Sequence, residues 1–130
     1  MFDIITKLKL SKFERLAESI MTRSKSLFDR NNDELTHMLS SSREVDVYAA
    51  LIVLAERAVG LKPFKVQVMA ALSCSDGHVI DMKTGEGKTL VAAMSSIALV
   101  KKGFVVNVAT ANKYLADRDF TTMKPLFDLC

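Results

Sequence analysis

The eight residues 82–89 constrain the fold of this chain more than any other segment does. They read Met-Lys-Thr-Gly-Glu-Gly-Lys-Thr, beginning where the short, largely apolar segment 78–82 ends and running into a helical pattern that begins at Lys88. Glycines let the main chain approach phosphate oxygens, N–H groups in such a loop point inward, and the helix dipole adds positive potential. The segment therefore predicts a phosphate-binding turn between a strand and a helix.

Two side chains of this loop have predicted roles. Lys88 is expected to reach the β- and γ-phosphates of a nucleotide, and the Thr89 hydroxyl is expected to ligate Mg²⁺. Met82 stands where the general phosphate-loop pattern has glycine. Glu86 is interpreted as an exposed loop acid, and not as a general base, because a carboxylate aimed inward would repel a polyanion. The plainer alternative is a turn in which the glycines only supply unusual backbone angles and Lys88 is simply solvated.

The pattern around the loop predicts an α/β fold after residue 60. Residues 78–82 and the valine-rich residues 104–109 are predicted as strands, with a helix from Lys88 to about residue 100 between them. An earlier helix is expected over residues 63–74, and Asn112 is expected to cap a last helix that contains Pro125. A strand, helix and strand in this order imply parallel strands joined by a right-handed crossover.

Residues 2–58 are predicted to be helical. Asn31 with Glu34 and Ser41 with Glu44 each have the spacing of a capping box, and Gly60 is placed to end the helix that precedes it. Two apolar stripes recur at helical spacing, the first at Phe13, Leu16, Ala17, Ile20 and Met21 and the second at Val45, Ala49, Ile52 and Ala55.

Composition narrows the class of protein. The net charge of +3 arises in the first thirty residues, which hold seven of the 18 basic and four of the 15 acidic residues. The remaining residues are electrically balanced, which argues against the basic face of a duplex nucleic-acid binder. The longest apolar run is shorter than the roughly 20 residues that span a bilayer, and residues 1–10 lack the pattern of a secretory signal. Cys74 and Cys130 fit no metal spacing or disulfide framework, which indicates free thiols in a reducing compartment.

Three segments carry a resemblance to a known family. Residues 80–90 resemble the first nucleotide motif of the SecA family, the motor ATPases of bacterial and plastid protein export, in which methionine can replace the first glycine. Residues 60–67, Gly-Leu-Lys-Pro-Phe-Lys-Val-Gln, resemble the adenine-recognition motif of that family. Residues 110–119 are similar to its Thr-Val-Asn-Asp-Tyr-Leu-Ala segment, although Lys113 replaces an acid. The likeness is continuous over residues 60–130 and loose over residues 1–59.

The resemblance implies a fold, a ligand and a site. The fold is a helical amino-terminal arm over residues 1–59, followed over residues 60–130 by the first part of a RecA-like, helicase-type parallel-sheet domain with an incomplete sheet. The ligand is ATP or ADP with Mg²⁺. Gln67 is expected to read the adenine edge, with Lys62 or Phe64 packing nearby. The phosphate-side residues are expected to be Met82, Lys83, Thr84, Gly85, Glu86, Gly87, Lys88 and Thr89.

The resemblance also implies how the chain works. The acidic Mg²⁺ motif and the second motor domain of the family are expected beyond residue 130, so this chain is expected to bind nucleotide without hydrolysing it alone. One alternative is a free-standing, truncated SecA-like binding or regulatory module that pairs with another copy or a full-length motor through a sheet edge. A nucleic-acid helicase fragment is a less favoured alternative.

The expected partners of the family are a membrane export channel, a preprotein and anionic lipid, with no nucleic acid. The expected location is cytoplasmic or peripheral at the inner face of the plasma membrane. The basic helix at residues 2–28 has two interpretations, packing against the motor domain, which we favour, and docking on lipid or the channel.

Overall fold

A computed structural model describes the backbone from Phe2 to Cys130 and the side chains from Leu10 onward. The predicted basic contributions of Lys7 and Lys9 therefore lie outside the described side chains. Within the described backbone the chain forms six α-helices and no strand. The helices are α1 (Phe2–Lys25), α2 (Asn32–Met38), α3 (Glu44–Val59), α4 (Lys65–Ser75), α5 (Lys88–Lys101) and α6 (Lys113–Leu129).

Helix α3 is the centre of the structure. Every residue from Asp46 to Ala55 is buried, on all sides of the helix. Helices α1, α2, α5 and α6 pack around it. A helix that is apolar all round is a core helix, whereas a single stripe is typical of a helix at the surface. The predicted stripe at Val45, Ala49, Ile52 and Ala55 is therefore only part of the buried surface.

Helix α1 lies across α3 and α4 and uses its apolar stripe there. Phe13 is 5% exposed, and Ala17 and Ile20 are fully buried. Arg23 Nε lies 2.9 Å from the Asp46 carboxylate of α3, which adds an ion pair to this contact. These contacts confirm the packing interpretation of the stripe in residues 13–21.

Helix ends follow the predicted caps at Asn31, Gly60 and Asn112 and depart from them at Ser41. The Asn31 side chain accepts from the Glu34 N–H at 2.9 Å while the Glu34 carboxylate accepts from the Asn31 N–H at 3.0 Å, which confirms the first capping box. Gly60 ends α3 with a φ of 69°, as predicted. The capping box at Ser41 and Glu44 is wrong, because α3 begins at Glu44 itself and its N-cap is Arg43.

The strands predicted at residues 78–82 and 104–109 are absent, so the prediction of an α/β parallel-sheet domain is wrong for the described backbone. A strand exists only where its N–H and C=O groups pair with a neighbouring strand, and these two segments form no such ladder with any described residue. Val79 is 101% exposed and Val105 is 92% exposed. Val79 and Val105, which lie in segments predicted as buried strands, thus remain exposed to solvent.

Part of the second of these segments, residues 104–109, lines a cavity and does not form a strand. Val106 and Val108 face an apolar cavity of about 400 Å³ together with Thr89 of α5 and Phe120 of α6. The predicted pairing with another copy or a full-length motor required a sheet edge. That prediction has no structural basis in the described residues.

Two smaller findings complete the fold. No helix in the described part of the chain combines the length and apolarity that crossing a bilayer requires. Cys74 and Cys130 are free thiols, as predicted, and burial raises the pKa of Cys130 to about 11. The division into residues 1–59 and 60–130 stays a prediction.

Candidate functional site

The loop at residues 82–89 begins at the buried residue Met82 and ends in the first turn of α5. Met82 is 9% exposed and anchors the start of the loop in the core. Gly85 and Gly87 have φ angles of 86° and 84°, and Gly87 is the N-cap of α5. Left-handed backbone of this kind costs a residue with a Cβ roughly 1–2 kcal/mol, so both positions favour glycine.

Five main-chain donors between Thr84 and Thr89 are open. Among the described residues, no protein acceptor pairs with the N–H groups of Thr84, Gly85, Gly87, Lys88 or Thr89, and α5 has no side-chain cap. The loop from Lys83 to Glu86 is exposed, as is Lys88. Open donors at a helix N-terminus carry a partial positive charge and bind anions.

Gln67 connects residues 60–67, which resemble the adenine-recognition motif, to the loop. Its side chain is largely buried, Nε2 donates to the Glu86 carbonyl oxygen at 2.9 Å, and Oε1 accepts from the Phe64 N–H at 2.9 Å. A Cβ added at Gly87 would lie 2.3 Å from Nε2, closer than the packing allows. The carbonyl and N–H of a trans peptide point in opposite directions, so the Gly87 N–H faces away from Gln67. The contact thereby orients one of the open donors.

Glu86 closes the loop on itself. Its carboxylate Oε2 accepts from the Lys83 N–H at 2.7 Å, and its own N–H donates to the Lys83 carbonyl oxygen at 3.2 Å. Sequence reasoning missed this contact. The spacing in the sequence could have predicted it. An acid three residues after a loop residue can accept from the N–H of that residue, as Glu34 does from Asn31 in the capping box of this chain.

The remaining site candidates, Phe64, Lys62 and Thr89, have different surroundings. Phe64 immediately precedes α4 and is 71% exposed. Lys62 Nζ lies 3.8 Å from the Glu56 carboxylate, so its charge is directed toward α3. Thr89 is half-buried on the first turn of α5, and its hydroxyl makes no hydrogen bond with another described residue. The structure brings Gln67 to the loop, links the Phe64 N–H to the Gln67 side chain, and gives Lys62 a separate partner.

Helix α4, which carries Gln67, is fixed by hydrogen bonds in the core. The Tyr48 hydroxyl of α3 donates to the Ala71 carbonyl oxygen at 3.2 Å and lies 2.7 Å from Ser75 Oγ. The Ser95 hydroxyl of α5 lies 3.3 Å from the same carbonyl oxygen. Burial raises the pKa of Tyr48, so the hydroxyl stays a donor. Near the start of α4, Lys65 contacts Glu14 and Glu18 of α1 at 3.0 and 3.1 Å. Gln67 thus lies on a helix that contacts with α1, α3 and α5 hold beside the loop.

Comparison with known proteins decides the family. The model of the SecA DEAD-like domain matches residues 4–130. The chain belongs to the SecA family. This finding confirms the resemblance that residues 60–67, 80–90 and 110–119 carry, and it extends the likeness through the amino-terminal helices.

Individual SecA proteins align with most of the chain. It is 46% identical over 89 residues to protein translocase subunit SecA 2 of Chlorobium chlorochromatii strain CaD3, covering 68% of this chain and 13% of that protein. It is 36% identical over 132 residues to protein translocase subunit SecA of Thermotoga neapolitana, covering 91% and 15%. Protein translocase subunit SecA 2 of Bacillus anthracis is 35% identical over 125 residues, with 87% and 16% covered. The chain therefore spans about a seventh of the length of these SecA relatives.

Proposed function

We propose that this SecA-family chain binds ATP or ADP through residues 82–89 and supplies this nucleotide site to a protein-translocation motor. The observation that carries the proposal is the set of five open N–H groups on the loop that begins α5. Lys88 adds a positive charge at the same place, and no described carboxylate forms an ion pair with it. A polyphosphate is the ligand whose charge and acceptor atoms match such a loop.

The residues of the loop fit a nucleotide with its metal ion. Lys88 would contact the β- and γ-phosphates, and the Thr89 hydroxyl is free to ligate Mg²⁺. Gly87 leaves the space beside Gln67 that any Cβ would fill. A Mg²⁺ ion held there would supply positive charge that offsets the negative charge of the phosphates. The proposal for this chain is limited to binding, since hydrolysis also needs an acid for the metal and a group that positions water.

Gln67 retains the capacity to read adenine while it holds the loop. An amide side chain has two N–H donors and an oxygen that accepts twice. Phe64 and Glu86 use one acceptor and one donor position, which leaves one of each. The adenine edge presents an amino donor and a ring-nitrogen acceptor, as the two free positions require. Guanine has a carbonyl in place of the amino group, so it would set two acceptors against each other.

The role in translocation follows from the family and applies to the complete motor. The relatives are named as subunits of a protein translocase, and the proposed partners are accordingly an export channel and a preprotein. Over residues 11–25, attraction to anionic lipid would rest mainly on charge, because the apolar side chains of Phe13, Ala17 and Ile20 are buried against α3 and α4. The location at the inner face of the plasma membrane stays a proposal of the same kind.

Calorimetric titration of the purified chain tests the proposal. With Mg²⁺ present, we expect ATP and ADP to bind, inorganic tripolyphosphate to bind more weakly, and GTP to bind less tightly than ATP. Tripolyphosphate lacks a base, so it reports the loop alone, and the comparison of ATP with GTP reports Gln67. Absence of binding by all four compounds would overturn the proposed function.

Gly87→Ala tests the space at the loop, with Gly77→Ala as the matched control. Both glycines have a positive φ, 84° and 80°, but a Cβ at residue 77 meets nothing within 4 Å. Both variants should lose about 1–2 kcal/mol of folding free energy for the backbone. Only Gly87→Ala should also displace Gln67 and weaken ATP binding, by roughly tenfold for the loss of a hydrogen bond and its geometry. Equal ATP affinity in the two variants would contradict the proposed contact.

A further inference from the structure

We propose that Glu86 is a positioning residue whose carboxylate clasps the loop in the shape that receives phosphate. The inference rests on the proposed function and adds a residue to it. The contact that carries it is the hydrogen bond from the Lys83 N–H to Glu86 Oε2, at 2.7 Å. We call this contact, with the hydrogen bond from the Glu86 N–H to the Lys83 carbonyl oxygen, the Glu86 clasp.

The clasp closes a four-residue turn twice. The main-chain bond joins the first and last residues of the turn at 3.2 Å, and the carboxylate bond joins the same two residues in the reverse direction. Gly85 occupies the third position with a φ of 86°, where a type II turn requires glycine. The open N–H groups of Thr84 and Gly85 lie inside this doubly closed turn, so their directions depend on it.

Glu86 is held at its carbonyl as well as at its carboxylate. Gln67 Nε2 donates to the Glu86 carbonyl oxygen at 2.9 Å, from the buried side of the loop. The clasp thus orients the N–H groups before Glu86, and the Gln67 contact orients the Gly87 N–H after it. A loop fixed at both points is ordered before the ligand arrives, which reduces the entropy cost of binding.

The negative charge of Glu86 has an effect on phosphate binding that opposes the effect of its hydrogen bond, and the two can be tested separately. A carboxylate near a polyanion weakens binding through repulsion. Glu86→Gln and Glu86→Ala each remove that charge, but the glutamine carbonyl still accepts from the Lys83 N–H. Because the two variants have the same net charge, any difference between them isolates the hydrogen bond. The side chain is exposed, so neither substitution disturbs the core.

The first measurement is the affinity of each variant for ATP and for inorganic tripolyphosphate. We expect Glu86→Ala to bind both ligands about 3- to 10-fold more weakly than Glu86→Gln, the range of one net hydrogen bond. The ratio should not change with salt, since the variants carry equal charge. Equal affinities of the two variants would overturn the clasp and leave only repulsion.

The second measurement needs no ligand. Hydrogen exchange of the Lys83 amide should be slow in the unmodified chain and in Glu86→Gln, and faster in Glu86→Ala. If the unmodified chain bound neither ATP nor tripolyphosphate, the proposed function and the positioning role would fail together. Slow exchange at Lys83 would then still identify a structural contact, whereas equal exchange in all three proteins would remove the clasp itself.

Glu34 provides the matched control. Its carboxylate also returns to an N–H three residues earlier, that of Asn31, at 3.0 Å, but at the start of α2 and away from the loop. Contacts with Arg30 and Asn31 lower the pKa of Glu34, so it is charged at neutral pH. Glu34→Ala should reduce stability and leave ATP affinity unchanged. A loss of ATP affinity equal to that of Glu86→Ala would show that both variants act through stability, which would overturn the positioning role.

Discussion

Replacing Lys88 with alanine is expected to reduce ATP affinity by roughly 10- to 100-fold, since a hydrogen bond to a charged group contributes about 1.5–3 kcal/mol. Lys88 is exposed at the first position of α5, beside the open N–H groups of Gly87 and Thr89. The substitution removes only the positive charge of the side chain, because the main-chain N–H of residue 88 is kept. ADP affinity should fall less than ATP affinity, as a lysine that reaches the γ-phosphate loses one contact when that group is absent. Calorimetric titration with both nucleotides measures the two losses.

Lys101→Ala is the matched control for this experiment. Lys101 is also exposed and lies on the last turn of the same helix, at the opposite end from the loop. The Lys101→Ala substitution removes the same charge and should leave ATP affinity within about twofold of that of the unmodified chain. The reason is that exposed charges farther apart than a Debye length of about 10 Å are largely screened. If Lys88→Ala bound ATP as tightly as Lys101→Ala does, the assigned role of Lys88 would be wrong.

The helices were predictable from the sequence because their signals are local. Asn31 with Glu34, Asn112 and Gly60 act on neighbouring backbone groups, and each occupies the predicted cap. The start that the sequence predicted for α3 was wrong, although its signal is also local. Ser41 and Glu44 have the spacing of a capping box, but the helix begins too late for Ser41 to be its N-cap.

The strands were not predictable because pairing is not a local property. Residues 104–109 have the composition of a buried strand, which reports a preference of the side chains and not the presence of a neighbour. In the structure Val105 remains exposed, while Val106 and Val108 line the cavity beside α5 and α6. A strand also needs main-chain partners, and no described segment supplies them.

The candidate site shows the same division between local and distant contacts. The glycines and Lys88 were predicted because spacing alone places them at the start of α5. The approach of Gln67 to Glu86 joins residues nineteen positions apart, so it depends on how α4 packs against α5. Resemblance to the SecA family pointed to Gln67 as an adenine reader, and the structure adds its contact with the loop.

Leu51→Ala is expected to cause the largest loss of stability, about 2–5 kcal/mol of the free energy of unfolding. Leu51 is fully buried in α3, the helix around which α1, α2, α5 and α6 pack. Removing its terminal carbons leaves a cavity that several helices would have to move together to fill. The loss adds the transfer free energy of those carbons to the free energy of the cavity. Denaturant unfolding followed by far-ultraviolet circular dichroism measures the change.

Leu10→Ala makes the same chemical change at a surface position and separates packing from helix propensity. Leu10 lies in α1 and is 58% exposed, so its loss should remain within about 0.5 kcal/mol. Below the unfolding transition, Leu51→Ala should still bind ATP, because α4 keeps its contacts with Tyr48 and Ser95 through the Ala71 carbonyl. Equal unfolding midpoints for the two variants would mean that α3 is not the central helix of the core.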